Sequence, residues 1–254
     1  MSKARNKFLI INEENVNDHF LVRNEFHKAL AKEKLIEEIS LDDELIEINE
    51  KRERTPNLKQ VKITELNYAN EKFKIEKIWR INLEEEIFGI STSGKTTEIA
   101  LLVLQKYLES NSYRLNIILV ELKSSLQPRK SKSGKIISSS LDEIHEKFRD
   151  TMNRMYMLLT LNNYGNPDKN YNRSSIHIDF KGAIFYDRNE IKEADIRNDN
   201  EQTFYDIFEG KIEGKRNLLT CSTILSDNDK TKVKFFNGMD NQGSITVKIE
   251  DLLF

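Results

Sequence analysis

The sequence predicts an α/β (α+β) core with a central mixed β-sheet flanked by helices. Three observations carry that expectation. Two apolar runs, Thr97–Leu104 and Leu115–Leu122, sit either side of the polar stretch Glu109-Ser110-Asn111-Ser112, as neighbouring strands joined by a turn would. Leu141, Ile144, Phe148, Met152, Met155 and Leu159 then repeat at helical spacing over about five turns. Beyond them, Ile176–Tyr186, Leu218–Ile224, Val233–Phe236 and Ser244–Ile249 read as further strands.

Composition narrows the class. The chain has 254 residues, enough for a sizeable core. Lys+Arg is 40 and Asp+Glu is 42, so the net charge of −2 is near balance, and 9 Gly with 3 Pro exclude collagen-like and low-complexity chains. Cys221 is the single cysteine, which excludes an internal disulfide and a Cys-rich zinc site. No apolar run reaches the roughly 18–20 residues of a membrane span, and Phe8–Ile11 is too short for a signal-peptide core. The expectation is a cytoplasmic protein with no membrane partner.

In chain order, Val16, Phe20, Phe26, Leu30, Leu35, Ile36 and Ile39 predict an amphipathic helix over 16–39. The charged stretch 40–60, with Pro56, predicts an exposed connection. Together they give an N-terminal helical region of about 1–60. Phe73, Ile75, Trp79, Ile81 and Leu83 alternate with polar residues and predict a half-buried strand, with Trp79 in the core. Lys123–Lys135 contains Lys123, Arg129, Lys130, Lys132 and Lys135, no acid, several serines, Pro128 and Gly134. It predicts a mobile basic loop able to hold a phosphate backbone. Ser140 and Glu143 predict a capping box for the long helix, Ser140–Leu161. On that helix His145, Arg149 and Arg154 are expected on a solvated face, and the Met152, Met155 and Met157 cluster in the core. Gly182 predicts a kink in the strand that follows, and 191–208 a short helix. The chain has no internal repeat and no clear linker. It is expected to be one domain, 1–254, with a core of about 70–190 and a strand-rich C-terminal region of about 191–254.

Two motifs compete for chemistry. Gly89–Thr96 reads G-I-S-T-S-G-K-T and fits the phosphate-binding loop G-x-x-x-x-G-K-[ST] at every fixed position. On that reading Lys95 and Thr96 do the work, Thr97–Tyr107 is a helix, and the protein is a nucleotide-binding ATPase or GTPase. The preceding Glu84-Glu85-Glu86 is a poor fit to a strand buried on both faces, so this stands second. The other motif is Glu98 with Glu121-Leu122-Lys123. Glu121 and Lys123, two apart in a strand, share a face. Glu98 opens the preceding strand, and antiparallel pairing would bring it near. Two carboxylates offer hard oxygen ligands to a divalent cation, and a lysine beside them can orient water or stabilise developing charge.

Ile117–Ser125, I-I-L-V-E-L-K-S-S, resembles the E-x-K half of the PD-(D/E)xK nuclease superfamily, which includes many restriction endonucleases. Glu98, Glu121, Lys123 and the helix after Ser140 fall in that family's order. Two departures are visible. The first acid is a Glu after Thr97 rather than an Asp after Pro, which leaves Glu84, Glu85 and Glu86 as alternatives, and Gln127–Ser139 is an insertion. The resemblance implies a restriction-endonuclease-like core and a Mg²⁺- or Mn²⁺-dependent endonuclease acting on double-stranded DNA, in restriction or a related defence role. It implies metal at Glu98, Glu121 and the Leu122 carbonyl and water positioned by Lys123. It also implies a homodimer. The basic composition of the inserted segment adds a backbone held by Arg129, Lys130, Lys132 and Lys135. A non-catalytic nucleic-acid-binding module is the third reading.

Overall fold

The computed structural model describes residues 35–50, 57–83, 95–110, 112–163, 176–211 and 218–254. Among them are strands β1 (Ile36–Ile39), β2 (Leu45–Asn49), β3 (Gln60–Thr64), β4 (Phe73–Asn82), β5 (Ile99–Tyr107), β6 (Tyr113–Leu126), β7 (Pro128–Lys130) and β8 (Ile136–Ser139). Helix α1 (Ser140–Asn163), β9 (Ile176–Asn189), α2 (Asp199–Phe208), β10 (Leu218–Cys221), β11 (Asp229–Phe236) and β12 (Ser244–Lys248) follow. The fold is mixed α/β. Its main sheet has seven strands in the order β1-β4-β5-β6-β9-β11-β10. β4, β5 and β6 form an antiparallel meander, whereas β9 pairs parallel to both β6 and β11. The parallel β6–β9 pairing requires a crossover, and α1 is the helix in that connection.

Side chains alternate along β5 and β6, so each face of the sheet collects its own core. On one face Ala100, Leu102, Leu104, Leu115, Ile117 and Leu119 pack under α1, through Ile144, Phe148, Met152 and Met155. On the other, Leu101, Val103, Ile118, Val120 and Leu122 pack under a second sheet, β12-β3-β2, and a 3₁₀ turn at Ile249–Leu252. Both faces are covered, which explains why β5 and β6 read as continuous apolar runs. Trp79 and the Met152–Met155 pair are core, as expected. The break in the β4 alternation has a physical origin. The register against β5 shifts between Ile75 and Lys77, so Ile75 and Ile78 share one face and Trp79 takes the other.

Several expectations are corrected. Ile36–Ile39, read as the end of a helix, is the edge strand β1, antiparallel to β4, while 1–34 lie outside the described residues. The supposed exposed connection contains β2, whose Ile46 and Ile48 are buried on either side of the exposed Glu47. The basic segment is a β7–β8 hairpin rather than a mobile loop. Its base is fastened by Gln127 N–H donating to Ser140 Oγ (2.9 Å) and Ser140 Oγ donating to Gln127 O (3.0 Å). Ser140 is therefore turned away from the capping box, and Ser139 Oγ accepts from Leu141 N–H instead. Gly182 does not kink β9, which runs unbroken. A Cβ there would stand 2.2 Å from Phe148 Cε2, so the glycine lets the α1 ring lie on the sheet. His145 and Arg154 are both buried. α2 and β10 cover the His145 flank of α1, whereas Arg154 lies on the opposite flank, against the end of β4. His145 Nε2 lies 2.9 Å from Thr220 O, and Arg154 Nη1 donates to Leu83 O. Arg149 stays partly exposed beside Asp150. Among the described residues no helix is long and apolar enough to cross a membrane.

Candidate active site

The site forms where β5 begins, where β6 runs past it, and where α1 starts its second turn. The β5–β6 register pairs Ile99 with Val120, so Glu98 lies opposite the start of Glu121-Leu122-Lys123. Beyond that pairing the Leu122 N–H has no strand partner on the β5 side. Glu98 Oε2 accepts from it at 3.0 Å, so the carboxylate extends the ladder by one bond. The N–H and C=O of one strand residue face the same neighbour, so the Leu122 carbonyl is aimed to the Glu98 side. Thr97 anchors the strand entrance, with its N–H donating to Thr151 Oγ1 on α1 (3.0 Å).

Glu121 and Lys123 share a face, and Lys123 Nζ lies 3.1 Å from Glu121 Oε1. This is no surface pair, since the side chains are 7% and 0% exposed for Lys123 and Glu121. Helix α1 adds two groups. Lys147 Nζ is 2.6 Å from the same Glu121 Oε1 and 3.8 Å from Glu98 Oε1. Glu143 Oε1 is 3.5 Å from Lys123 Nζ. The other oxygen of Glu121, Oε2, is buried and has no donor among the described residues.

The electrostatics follow from burial and crowding. Burial, then the charge of Glu121 beside it, push Glu98 well above the ordinary carboxyl value, against the pull of Lys147. Burial opposes the charge on Lys147, but Glu121 and then Glu98 outweigh it and raise its pKa. Burial also opposes ionisation of Glu143, and the ammoniums of Lys123, Lys147 and Lys95 overcome it, leaving the carboxyl below its usual range.

Of the residues expected from sequence, Glu98, Glu121, Leu122 and Lys123 come together. Arg129, Lys130, Lys132 and Lys135 are exposed on the β7–β8 hairpin, which leaves the end of β6 and returns to the start of α1. Glu84, Glu85 and Glu86 lie outside the described residues, as do Gly89–Gly94 of the phosphate-loop motif. Lys95 is exposed beside Glu146 (3.6 Å), and the Thr96 hydroxyl donates to Leu83 O (2.8 Å). The helix that motif requires next is instead strand β5. Lys147 was not among the residues the sequence singled out, and Glu143 was singled out only as a capping residue of the helix. Their signal is an i, i+4 Glu–Lys pair bordering the apolar stripe of Ile144 and Phe148.

The donor set suits magnesium, which keeps several waters and takes only one or two protein carboxylates. Glu98 and Glu121 supply these, and the unpartnered Glu121 Oε2 and the raised Glu98 carboxyl are both conditions that a hard cation relieves. Among the described residues no group of three His, Cys, Asp or Glu side chains could hold a metal by itself. A scan against protein-family models finds no match, and searches of curated proteins and of solved structures find none either.

Proposed function

We propose that this chain is a Mg²⁺- or Mn²⁺-dependent nuclease with a restriction-endonuclease-like core of the PD-(D/E)xK type. It hydrolyses phosphodiester bonds, with double-stranded DNA as the substrate and a homodimer as the acting form. The cytoplasm and a restriction or related defence role complete the reading. The observation that carries it is the convergence of Glu98, Glu121 and Lys123 at one buried spot.

Glu98 and Glu121, with the Leu122 carbonyl, would hold the ion. When bound, the metal supplies charge stabilisation at a phosphoryl oxygen and a more acidic water. Lys123 orients the attacking water and balances charge as it develops. Glu143 holds the Lys123 ammonium from the far side. The basic hairpin grips the phosphate backbone. Strand β5 in place of the phosphate-loop helix counts against the ATPase reading.

The deciding experiment is cleavage of plasmid, linear duplex, single-stranded DNA and RNA with Mg²⁺ or Mn²⁺ and no nucleotide. Cutting should vanish in Glu121→Gln and Lys123→Ala and survive Lys95→Ala. Full activity in Glu121→Gln would remove the site assignment. Nucleic-acid binding without cutting under every condition would favour the non-catalytic module. Replacing Arg129, Lys130, Lys132 and Lys135 by Gln together should weaken DNA binding and flatten its salt dependence; an unchanged slope would rule the hairpin out as the clamp.

A further inference from the structure

This inference rests on the metal-site reading above and concerns how that site is kept when no metal is there. Two ammoniums converge on one oxygen, Glu121 Oε1, but they are not equivalent. Lys123 meets Glu121 alone of the two ligand carboxylates and is tied on its other side to Glu143. Lys147 meets both, at 2.6 Å from Glu121 and 3.8 Å from Glu98. It therefore stands where a cation shared by the pair would stand. A divalent ion added to that spot would crowd a third positive centre against the two ammoniums, and one of them has to leave.

Lys147 has a place to go. Glu143 lies four residues earlier on α1, one turn away on the same face, and its field already acts on Lys147. The Lys147 side chain is 11% exposed, at the edge of the cluster. Lysine suits such a role, as a compact charge on a flexible stem.

We infer that Lys147 is the resident countercation of the Glu98–Glu121 pair, and that a divalent ion enters only by displacing its ammonium toward Glu143. The lysine is then a device that keeps the two carboxylates apart and neutralised until metal arrives. Metal affinity is lowered by the strength of that contact.

The test is direct Mn²⁺ binding to the full chain without nucleic acid, followed by the electron paramagnetic resonance signal of free Mn²⁺. Lys147→Met keeps the stem and removes the charge, and should bind Mn²⁺ about tenfold tighter or more than wild type, the scale of a close buried charge pair. Lys147→Arg keeps a cation there and should show no such gain. Equal or weaker binding by Lys147→Met would overturn the inference and leave the nuclease reading standing, and so would a gain shared by the Arg variant. No Mn²⁺ binding by wild type or either variant would remove the metal reading itself, and this inference with it. The wild-type protein gives a second readout that survives a misfolded variant. Amine labelling of Lys147, quantified by mass spectrometry, should rise when Mn²⁺ is added; unchanged or reduced labelling would overturn displacement.

Discussion

Two buried lysines lie on opposite faces of the same sheet and respond to burial in opposite ways. Lys147, from α1, faces two carboxylates and its pKa is raised. Lys181, from β9, is wholly buried against Asp179 (2.8 Å) and the carbonyl of Phe254 (2.6 Å). There burial prevails, and its pKa is lowered. The difference lies in the anions. Asp179 is partly exposed and can take water as its partner, so Lys181 supplies its charge to an aspartate that does not depend on it. Glu98 and Glu121 are sealed together and need a cation to be ionised together. A lone pair whose acid is partly exposed is read as structure, and two sealed carboxylates held by shared lysines as a candidate site.

The widest gap between the two places should be in catalysis. Glu121→Gln is expected to reduce cleavage by about a hundredfold or more. Lys181→Met should leave it unchanged; equal losses in both would dissolve the distinction. Stability without metal gives a smaller contrast. Lys147→Met leaves two facing carboxylates with Lys123 alone and should cost about 3 kcal/mol in denaturant unfolding. Lys181→Met, with Asp179 still partly solvated, should change it by less than about 1 kcal/mol. The reverse ranking would mean that Lys181, not Lys147, holds the fold together.

The smallest effect is in pH dependence. Glu98 is raised in the folded protein, so the native state keeps a proton that the unfolded chain has released. Stability therefore falls as pH rises from the ordinary carboxyl value of 4.5 through the raised one. Glu98→Gln keeps the acceptor for Leu122 N–H and removes the titration. Its thermal stability, followed without metal from about pH 4 to pH 8, should lose that part of the decline. Lys147 works in a separate window. Its contribution is complete below its unfolded value of 10.5 and is lost as pH passes the raised folded value. An Glu98→Gln profile parallel to wild type would show that the carboxyl is not strained by its neighbour.

Much of this arrangement is visible in the sequence because strands repeat every second residue. Glu121 and Lys123 had to share a face, and a tight antiparallel partner had to bring Glu98 to them. Lys147 and Glu143 were hidden for a different reason. Helical spacing shows which residues share a stripe, but not the rotation and height at which α1 lies on the sheet. Those depend on Phe148 settling over Gly182. His145 and Arg154 misled for the same reason, since nothing local announces that α2 and β10 pack on one flank of α1 and the end of β4 on the other. β1 and β2 were missed through short length and dense charge. Ile36 and Ile39 are three apart, a helical interval, yet both are buried in a four-residue edge strand. The basic segment's Ser, Gly and Pro content suggested a loop, and its strands of three and four residues are too short to show alternation.

The second sheet has a consequence for how the chain comes off the ribosome. β3, at Gln60–Thr64, takes as its parallel partner β12, at Ser244–Lys248, and the two cover Ile118, Val120 and Leu122. The covering half arrives long after the half it covers. While the intervening chain is synthesised, the apolar underside of β5 and β6 waits without its lid, at the stage when nascent chains are most exposed to one another. Removing residues from Ser244 onward should leave a protein that recruits chaperones and aggregates, though its carboxylates, on the opposite face, would be untouched by the cut.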